Sequence, residues 1–310
     1  MIFWKRKVLL FKSEVTPGTD PVPVVATDAV LARNIALVPL VNEGEARSAD
    51  LNYVGNLGRI IAGAYQKLTF EVEIAGAGAA GTVPGYGAAL KACAMSQTTN
   101  AGVSVVYAPV NPGAETTGTF YLYIGGRLHK ATYNVGNVKL VFSRGKIPVF
   151  QFDFTGLYII PSDAALAAPT LTMFQKPVAV NNVNTTPVTL HTFAAKFADL
   201  SIDVGNVLTY RNLIASESVR FTDRNSIGSV KLEDELVATI DWWTKMRTAA
   251  LGALSFTHGI VAGNIVVFAA PNVQLDVPTL AAEENISMLS MNLMLTPSAA
   301  GNDEWSITVK

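Results

Sequence analysis

The amino-acid sequence predicts a mainly β chain with two tandem β-sandwich or barrel domains, each with one flanking α-helix, and an extended N-terminal arm. Three observations support this fold class. Apolar and polar residues alternate with a period of two in several segments, glycine-containing turn signals separate those segments, and only two stretches have a helical pattern. Such alternation is typical of antiparallel strands that bury one face.

Residues 1–32 form the predicted arm. Pro17, Pro21 and Pro23 divide it into short pieces, and a proline disfavours helix both at its own position and at the residue before it. The first residues mix basic and apolar side chains but have neither an apolar core of signal-peptide length nor a small-residue cleavage site. We therefore expect that this segment is part of the mature protein and that it adopts an extended conformation.

The clearest strand pattern lies at Lys67–Ile74, where Leu68, Phe70, Val72 and Ile74 share one face. The same alternation recurs at Phe150–Thr155, Leu200–Val204 and Val230–Leu236. Turn signals between such runs occur at Gly125-Gly126, Gly145, Gly205-Asn206 and Gly263-Asn264. Together these features predict sheets of antiparallel hairpins.

Two segments are predicted to be helices, Tyr86–Met95 and Thr239–Leu251. Asp241 stands at a capping position of the second segment, which also carries Trp242 and Trp243. Each helix follows a strand with acidic residues on its polar face. This parallel is the first sign of an internal repeat.

A second sign of duplication is the pair of segments Gly136–Leu140 and Pro271–Leu275, which each precede a turn and a final alternating strand. The alternative is that any two all-β halves share such features. The order and spacing favour a repeat, with domain 1 over residues 33–161 and domain 2 over residues 188–310. Residues 162–187 are rich in Ala, Pro, Asn and Thr and are predicted to be a linker or edge segment.

The composition is more hydrophobic and less charged than that of a typical globular domain. Of 310 residues, 50% are hydrophobic and 15% charged, and the mean hydropathy is +0.32, whereas globular domains are about 25% charged. The longest weakly polar stretch, Gly259–Pro271, is too short for a membrane helix. Burial against other copies of the chain is therefore the favoured interpretation.

The charge and the cysteine content exclude other classes of protein. A net charge of −1 argues against a protein that binds nucleic acid by neutralising phosphates. Cys93 is the single cysteine, so there is no disulfide framework, and we expect it to be a small buried hydrophobe.

No motif in the sequence predicts catalysis or cofactor binding. Gly76–Gly81 matches a dinucleotide-binding pattern, but Pro84 and Gly85 delay the helix and no acidic residue follows at the expected distance, so a flexible loop is expected. His129, His191 and His258 lack metal-site spacing. We expect no enzyme activity, no metal and no cofactor.

Four blocks in the first third of the chain carry a family resemblance. They are Glu14–Pro23, Ala32–Ile35, Leu68–Gly78 and Pro84–Cys93. In this order they resemble the tail tube proteins of siphophages, the long-tailed bacteriophages, and the rest of the chain resembles that family in pattern. The resemblance implies tail-tube-type domains that close into rings, which stack into a hollow tube for passage of DNA.

The resemblance also implies partners and a location. The main partner is the chain itself, in rings of three copies with pseudo-sixfold symmetry or alternatively of six copies. Other tail proteins are expected at the tube ends, and phage DNA is expected to pass without specific binding. The subunit is expected in the virion tail, assembled in the bacterial host cytoplasm, with no membrane insertion.

Two sets of residues are predicted to serve such a tube. An acidic or polar lumen lets DNA travel without being held, and the carboxylates predicted to line it are Glu71, Glu73, Glu233 and Glu235. The alternative is that these faces point outward to solvent. The residues of the arm predicted to contact an adjacent ring are Phe11, Val15, Pro17, Gly18, Thr19, Asp20, Pro21 and Pro23.

Two other functions remain open on the sequence alone. One is another virion or fibre-forming structural β-protein, which would differ in its ring geometry. The other is a carbohydrate-binding or hydrolytic β-sandwich, which would need a cleft with convergent aromatic side chains and carboxylates.

Overall fold

The computed structural model describes residues 2–310 and consists almost entirely of antiparallel strands. The strands of the N-terminal half are β1 (Lys7–Ser13), β2 (Ala29–Val30), β3 (Arg33–Ala46), β4 (Arg59–Glu73), β5 (Met95–Asn100), β6 (Ser104–Pro109), β7 (Gly118–Ile124), β8 (Arg127–Ser143), β9 (Val149–Tyr158) and β10 (Ser162–Asp163). The strands of the C-terminal half are β11 (Thr185–Leu190), β12 (Phe197–Asp203), β13 (Asn206–Leu213), β14 (Ser216–Arg224), β15 (Ile227–Glu233), β16 (Leu251–His258), β17 (Val266–Glu283), β18 (Ile286–Leu295) and β19 (Ser306–Val309). The two helices are α1 (Gly87–Ala92) and α2 (Trp242–Arg247).

A continuous row of eight strands runs through both halves in the order β3-β4-β9-β8-β12-β15-β18-β17. Every neighbouring pair in this row is antiparallel. The first four strands belong to the N-terminal half and the last four to the C-terminal half. The two halves join where β8 pairs with β12, with Leu140 opposite Ile202 and Phe142 opposite Leu200. We call this row the eight-stranded sheet.

The long strands β8 and β17 each connect two layers of a sandwich. The first half of β8 pairs with β7, which pairs with β1, while its second half lies in the eight-stranded sheet. A register shift between Thr132 and Val135, with Tyr133 at a φ of 54°, marks the bend. In the same way β17 pairs with β16 over its first half, and β16 pairs with β11.

The same order of pairings thus occurs twice along the chain. The pairings that β1, β7, β8, β9 and β10 make among themselves in the N-terminal half recur among β11, β16, β17, β18 and β19 in the C-terminal half. The segments Gly136–Leu140 and Pro271–Leu275 lie in the equivalent strands β8 and β17. The β5–β6 hairpin was not anticipated from the sequence; β6 pairs with β19 and so fastens one half to the other.

The largest hydrophobic cluster extends across both halves. Its densest part is an aromatic stack in which the Phe70 ring lies 5.0 Å from that of Phe152 and 5.8 Å from that of Phe154. Phe11 of β1 completes the stack from the opposite layer, with its ring centroid 4.8 Å from that of Phe154. The alternating pattern of β4 and β9 therefore places these rings between the two layers.

Both helices exist where the sequence predicts them, but both are shorter. The predicted helix Tyr86–Met95 is reduced to α1 because Ala94 has a φ of 57°, which ends the helix and directs Met95 into β5. The predicted helix Thr239–Leu251 is reduced to α2. It begins after Asp241, whose carboxylate accepts a hydrogen bond from the Thr244 backbone N–H at 2.8 Å, as the capping pattern predicts.

Part of the predicted arm belongs to the core of its own chain. β1 lies within residues 1–32 and pairs along its whole length with β7, which buries Leu9, Leu10 and Phe11. The segment is extended, as expected from its prolines and apolar residues. Its apolar side chains nevertheless pack against the rest of the same chain because β7 offers an unpaired edge next to the core.

The glycine-rich loop after β4 is held in place by the C-terminal half. The Gly76 backbone N–H donates to the Asn264 side chain at 2.7 Å, and that of Gly78 donates to the Gly263 carbonyl at 2.8 Å. A Cβ atom at Gly76 would lie 2.1 Å from the Gly263 carbonyl oxygen. The glycines thus permit close approach of two backbones, and the segment is a loop, as the sequence predicts, with Gly76 and Gly78 bound to the C-terminal half.

Candidate assembly surfaces

One face of the eight-stranded sheet packs on the core and the other face is polar. The strand registers align Thr69, Asp153 and Asn137 across β4, β9 and β8 on the polar face. The same face continues across β12, β15 and β18 through Ser201, Ser229 and Asn292. We call this surface the polar face.

Three of the four carboxylates predicted to line a lumen lie on the polar face. Glu71 and Glu73 project from β4 beside Gln151 and Val149 of β9, and Glu233 projects from the end of β15. Glu235 lies beyond the end of β15, where Lys196 binds both it and Glu233 at 3.0 and 2.8 Å. The alternation of β4 and β15 thus directs acidic side chains to one shared surface.

Acidic groups outnumber basic groups on the polar face. Its carboxylates include Glu71, Glu73, Asp153, Asp199, Asp203, Glu233, Asp276 and Glu283, and its cations include Arg33, Lys67, Lys139 and Lys231.

Two of those four cations are held by carboxylates of the same chain. The Arg33 guanidinium lies 3.0 Å from Glu71 and 3.6 Å from Glu73. Lys231 binds Glu283, and this contact, with Arg144 nearby, lowers the pKa of the Glu283 carboxyl. The polar face therefore offers few free positive charges to a polyanion.

The eight-stranded sheet has an unpaired strand edge at each end among residues 2–310. β3 pairs with β4 on one side only. Residues 275–283 of β17 pair only with β18, and residues 276–282 are exposed. Unpaired edges of this length are sites for pairing with another chain.

The arm residues predicted to contact a neighbour divide into two groups. Phe11 and Pro23 are buried within their own chain, so neither is free to contact another subunit. Phe11 belongs to β1, a strand of the sandwich, and Pro23 is buried in the segment that follows β1, so an inter-ring role for these two residues stays a prediction without an exposed side chain to support it. Gly18, Asp20 and Pro21 are partly buried, whereas Val15, Pro17 and Thr19 are exposed.

The segment after β1 is fixed to the body of the protein by Glu14. This carboxylate is 6% exposed and accepts hydrogen bonds from the Thr117 and Thr119 hydroxyls, each at 2.6 Å. It also accepts from the backbone N–H groups of Gly18 and Tyr133 at 2.6 and 2.8 Å. Val15, 96% exposed, is thereby presented on a fixed loop.

Large apolar side chains are exposed mainly at the ends of hairpins and on the N-terminal segment. The loop between β3 and β4 exposes Leu51, Tyr53 and Val54, and the turn between β13 and β14 exposes Leu213 and Ile214. These residues were not predicted from the sequence. Three large apolar side chains within the four residues Leu51–Val54 are the signal that could have identified the first loop.

The described residues contain no group of three or more His, Cys, Asp or Glu side chains arranged to hold a metal. Over the same residues 2–310, neither helix is long and apolar enough to cross a membrane. The buried Cys93 thiol has a raised pKa because burial disfavours the thiolate, and the negative charge of Asp153 adds to this effect. That environment suits a core residue and not a nucleophile.

A polar sheet face, bare strand edges and exposed apolar hairpin ends are features of a subunit that assembles. A comparison with protein families matches residues 4–294 to the phage tail tube proteins. The chain belongs to this family. A comparison with curated proteins gives no match.

Membership of the tail tube family establishes a structural role in the phage virion. The chain is a component of the tail tube and is not an enzyme, and its family assembles into a tube together with other tail proteins. The mainly β fold with its antiparallel sheets agrees with this membership. The resemblance drawn from the four sequence blocks is thus confirmed.

Proposed function

We propose that three copies of this tail tube protein close into a ring, and that rings stack into a hollow conduit for phage DNA. In each ring, β3 of one copy pairs with residues 275–283 of β17 in the next copy. The single observation that carries the proposal is the junction between β8 and β12 inside the chain.

The internal junction supplies the pattern for the contact between copies. β8 and β17 are equivalent strands of the two halves. β3 and β12 are also equivalent, because each is the first strand in chain order of its half of the eight-stranded sheet. β3 and β12 also run in the same direction, because an even number of antiparallel pairings separates them. A β17–β3 contact would therefore repeat the β8–β12 contact around the ring.

The dimensions favour three copies over six. Three eight-stranded sheets supply 24 strands, and at a spacing of about 4.8 Å and a tilt of about 40° they close to a backbone circle about 48 Å across. Six copies would double that diameter. Three copies of two similar halves also give the pseudo-sixfold symmetry expected for duplicated domains.

In this ring the polar face lines the bore. Glu71, Glu73 and Glu233 then face the DNA, whose phosphates they repel, while the Arg33 and Lys231 side chains are occupied by carboxylates. Few counterions would be released on contact, so the DNA would move without being held. Glu235 would stand at the rim of the bore.

Stacking brings further residues of the chain into contact with neighbouring rings. The exposed Val15, Pro17 and Thr19 are proposed to contact an adjacent ring from the loop that Glu14 fixes. Assembly is proposed to take place in the host cytoplasm, since the buried Cys93 forms no disulfide.

Lysines on the β3 edge test the proposed ring contact. Val38 and Leu40 are 48% and 43% exposed, so the double variant Val38→Lys/Leu40→Lys should fold. Lysines on an edge strand oppose strand pairing. We expect monomers in sedimentation velocity and no tubes in negative-stain micrographs.

The matched control is Val103→Lys, at a position 63% exposed in the β5–β6 turn and away from both edges. This control should assemble as the wild type does. Normal tubes from the β3 double variant would refute the ring contact, and a wild-type chain that never forms rings would refute the proposed function.

A further inference from the structure

The junction between the two halves of the chain is covered in both layers of the sandwich. In the eight-stranded sheet, Phe142 near the end of β8 lies opposite Leu200 of β12. In the second layer, the rings of Phe256 and His258 from β16 lie 4.7 and 5.6 Å from the Phe142 ring. The second layer of the C-terminal half therefore covers the last core-facing side chain of β8, which is 4% exposed.

The end of β17 lacks such a cover among residues 2–310, although β17 is the equivalent of β8. Leu280 lies opposite Leu289 of β18, and directly opposite residues of an antiparallel pair project on the same side. Leu289 is fully buried in the core, so Leu280 also projects toward the second layer. Leu280 is nevertheless 56% exposed, which shows that the second layer of its own chain does not cover it.

The N-terminal segment presents large apolar side chains of its own. Ile2, Phe3 and Trp4 are 45%, 56% and 66% exposed. The segment is held against the β7–β8 turn, where the Gly125 N–H donates to the Arg6 carbonyl at 3.0 Å. A Cβ atom at Gly125 would lie 2.7 Å from the Phe3 backbone nitrogen, so only glycine permits this close approach. The three side chains are therefore displayed at a defined place on the second layer.

Lys7 places Trp4 beside the β3 edge. The Lys7 ammonium donates a hydrogen bond of 2.9 Å to the Ile35 carbonyl of β3 and lies 3.7 Å from the centroid of the Trp4 ring. An ammonium group this close to an indole ring is attracted to its face. Trp4 thus stands next to the strand edge that is proposed to pair with β17 of another copy.

Repetition of the internal junction brings these two surfaces together. β7 is the equivalent of β16, which covers the end of β8 with Phe256 and His258 from just before the β16–β17 turn. When β3 pairs with the end of β17 of another copy, the β7–β8 turn beside that β3 takes the place that the β16–β17 turn has inside the chain. Residues 2–4 lie on the β7–β8 turn. They would then face Leu280 of the other copy.

The charges around the two surfaces are complementary. Lys5 and Arg6 follow the apolar residues of the N-terminal segment, and both are exposed. Glu283 and Glu284 lie at the tip of the hairpin that carries Leu280, and the Glu284 side chain is 76% exposed. Opposite charges at the rim of an apolar contact favour one partner and one orientation.

We infer that Phe3 and Trp4 of one copy pack on Leu280 of the neighbouring copy in the same ring. The inference rests on the proposed ring and names a second contact within it. The β3–β17 pairing joins the eight-stranded sheets, and the N-terminal segment covers the same junction in the second layer. The exposed apolar side chains at the two ends of the sheet thereby bury each other.

Cysteine cross-linking tests the contact and its position within one ring. The full-length variant Trp4→Cys/Leu280→Cys places both thiols at exposed sites, and the native Cys93 is fully buried and should not react. Oxidised tubes should give covalent dimers and trimers in a non-reducing gel and no larger species, because a head-to-tail contact within a ring of three closes on itself. A ladder that ends at six would support the contact and correct the ring size. A ladder without an upper limit would show a contact between rings and overturn the inference.

The control for cross-linking is Trp4→Cys/Val103→Cys, which keeps the N-terminal thiol and moves the other to an exposed turn. It should give only monomers in the gel. Normal tubes of the Trp4/Leu280 variant that give no cross-link would overturn the inference.

Serine substitutions test the contribution of the contact to ring formation. Phe3→Ser/Trp4→Ser removes only exposed apolar groups, so the Tm of the unassembled subunit should not change. Rings should nevertheless require an about tenfold higher protein concentration in sedimentation velocity, since apolar anchors of an interface are lost.

The matched control is Ile260→Ser/Val261→Ser, which removes two apolar side chains that are 60% and 64% exposed in the β16–β17 turn. It should assemble as the wild type does. Equal assembly of the Phe3/Trp4 variant and the wild type would overturn the inference while leaving the ring proposal intact, whereas a wild-type chain without rings would remove both.

Discussion

Arg144 and Glu283 join equivalent turns of the two halves of the chain. The Arg144 guanidinium, in the β8–β9 turn, donates a hydrogen bond of 2.7 Å to the Glu283 carboxylate at the end of β17. Glu283 also binds Lys231 of β15. This pair therefore fixes the tip of the β17–β18 hairpin, whose outer edge is the proposed contact with the next copy.

Charge reversal at this pair should loosen the hairpin. In Arg144→Glu, two carboxylates would face each other, and amide hydrogen exchange over residues 280–290 should rise several-fold while exchange in β4 and β9 stays unchanged. The double variant Arg144→Glu/Glu283→Arg should restore part of the protection. Because the pKa of Glu283 is lowered by Lys231 and Arg144, the protection should be complete above the ordinary carboxyl pKa of 4.5 and be lost as the pH falls below it. Unchanged exchange in the single variant would contradict this role.

Truncation of Phe154 should be among the most destabilising changes in the chain. Its ring is fully buried between those of Phe11, Phe70 and Phe152. Phe154→Ala should lower the free energy of unfolding by about 3–5 kcal/mol, measured by urea denaturation of the unassembled subunit. Phe3→Ala, at a position 56% exposed, should change it by less than about 0.5 kcal/mol. Equal effects of the two substitutions would contradict the core described above.

Removal of the Glu14 carboxylate should release the loop that follows β1. Glu14→Ala leaves the buried Thr117 and Thr119 hydroxyls and the Tyr133 N–H without their acceptor. We expect a loss of roughly 3 kcal/mol in unfolding free energy and faster proteolysis within residues 15–23. Val15→Ala, in the same exposed loop, should change neither quantity. A Glu14→Ala variant as resistant to protease as the wild type would show that the loop is held by other contacts.

Buried histidines should make the subunit less stable in mild acid. Burial lowers the pKa of His258, and the pKa values of His129 and His191 shift in the same direction for the same primary reason. The His258 Nδ1 lies 2.8 Å from the Thr185 hydroxyl, and its buried Nε2 has no hydrogen-bond partner among the described residues.

The sign of this effect follows from proton binding. Because the folded pKa lies below the unfolded value of 6.5, the unfolded chain binds more protons in between, so stability is fully present above pH 6.5 and decreases as the pH falls through the folded pKa. The Tm of the subunit should therefore drop between pH 7.5 and 5.5, and His258→Gln should reduce that drop. A wild-type Tm that is constant over this range would contradict the prediction.

The sequence predicted the elements that depend on local pattern. The alternation at Lys67–Ile74 and Phe150–Thr155 corresponds to β4 and β9, and the turn signals at Gly125-Gly126 and Gly263-Asn264 lie between paired strands. Asp241 caps α2 because its side chain accepts a hydrogen bond from a backbone N–H only three residues further along the chain. Such features require no knowledge of distant partners.

Features that depend on distant pairings were not predicted. Nothing in the sequence of β1 indicates that it pairs with β7 and packs in the core. An apolar extended strand has the same sequence pattern whether it packs on its own chain or on another. The β8–β12 junction likewise arises from strands far apart in sequence. The acidic residues of β4 and β15 could be placed on polar faces, but only the strand registers bring those faces together.

The most direct test of the proposed assembly is a cryo-electron microscopy map of the polymer formed by the wild-type chain. We predict three copies per ring and an inner wall of 24 strands, in which β3 of each copy lies beside the end of β17 of the next and Glu71 faces the bore. A ring of six copies, or a wall in which the β3 and β17 edges remain apart, would contradict this prediction.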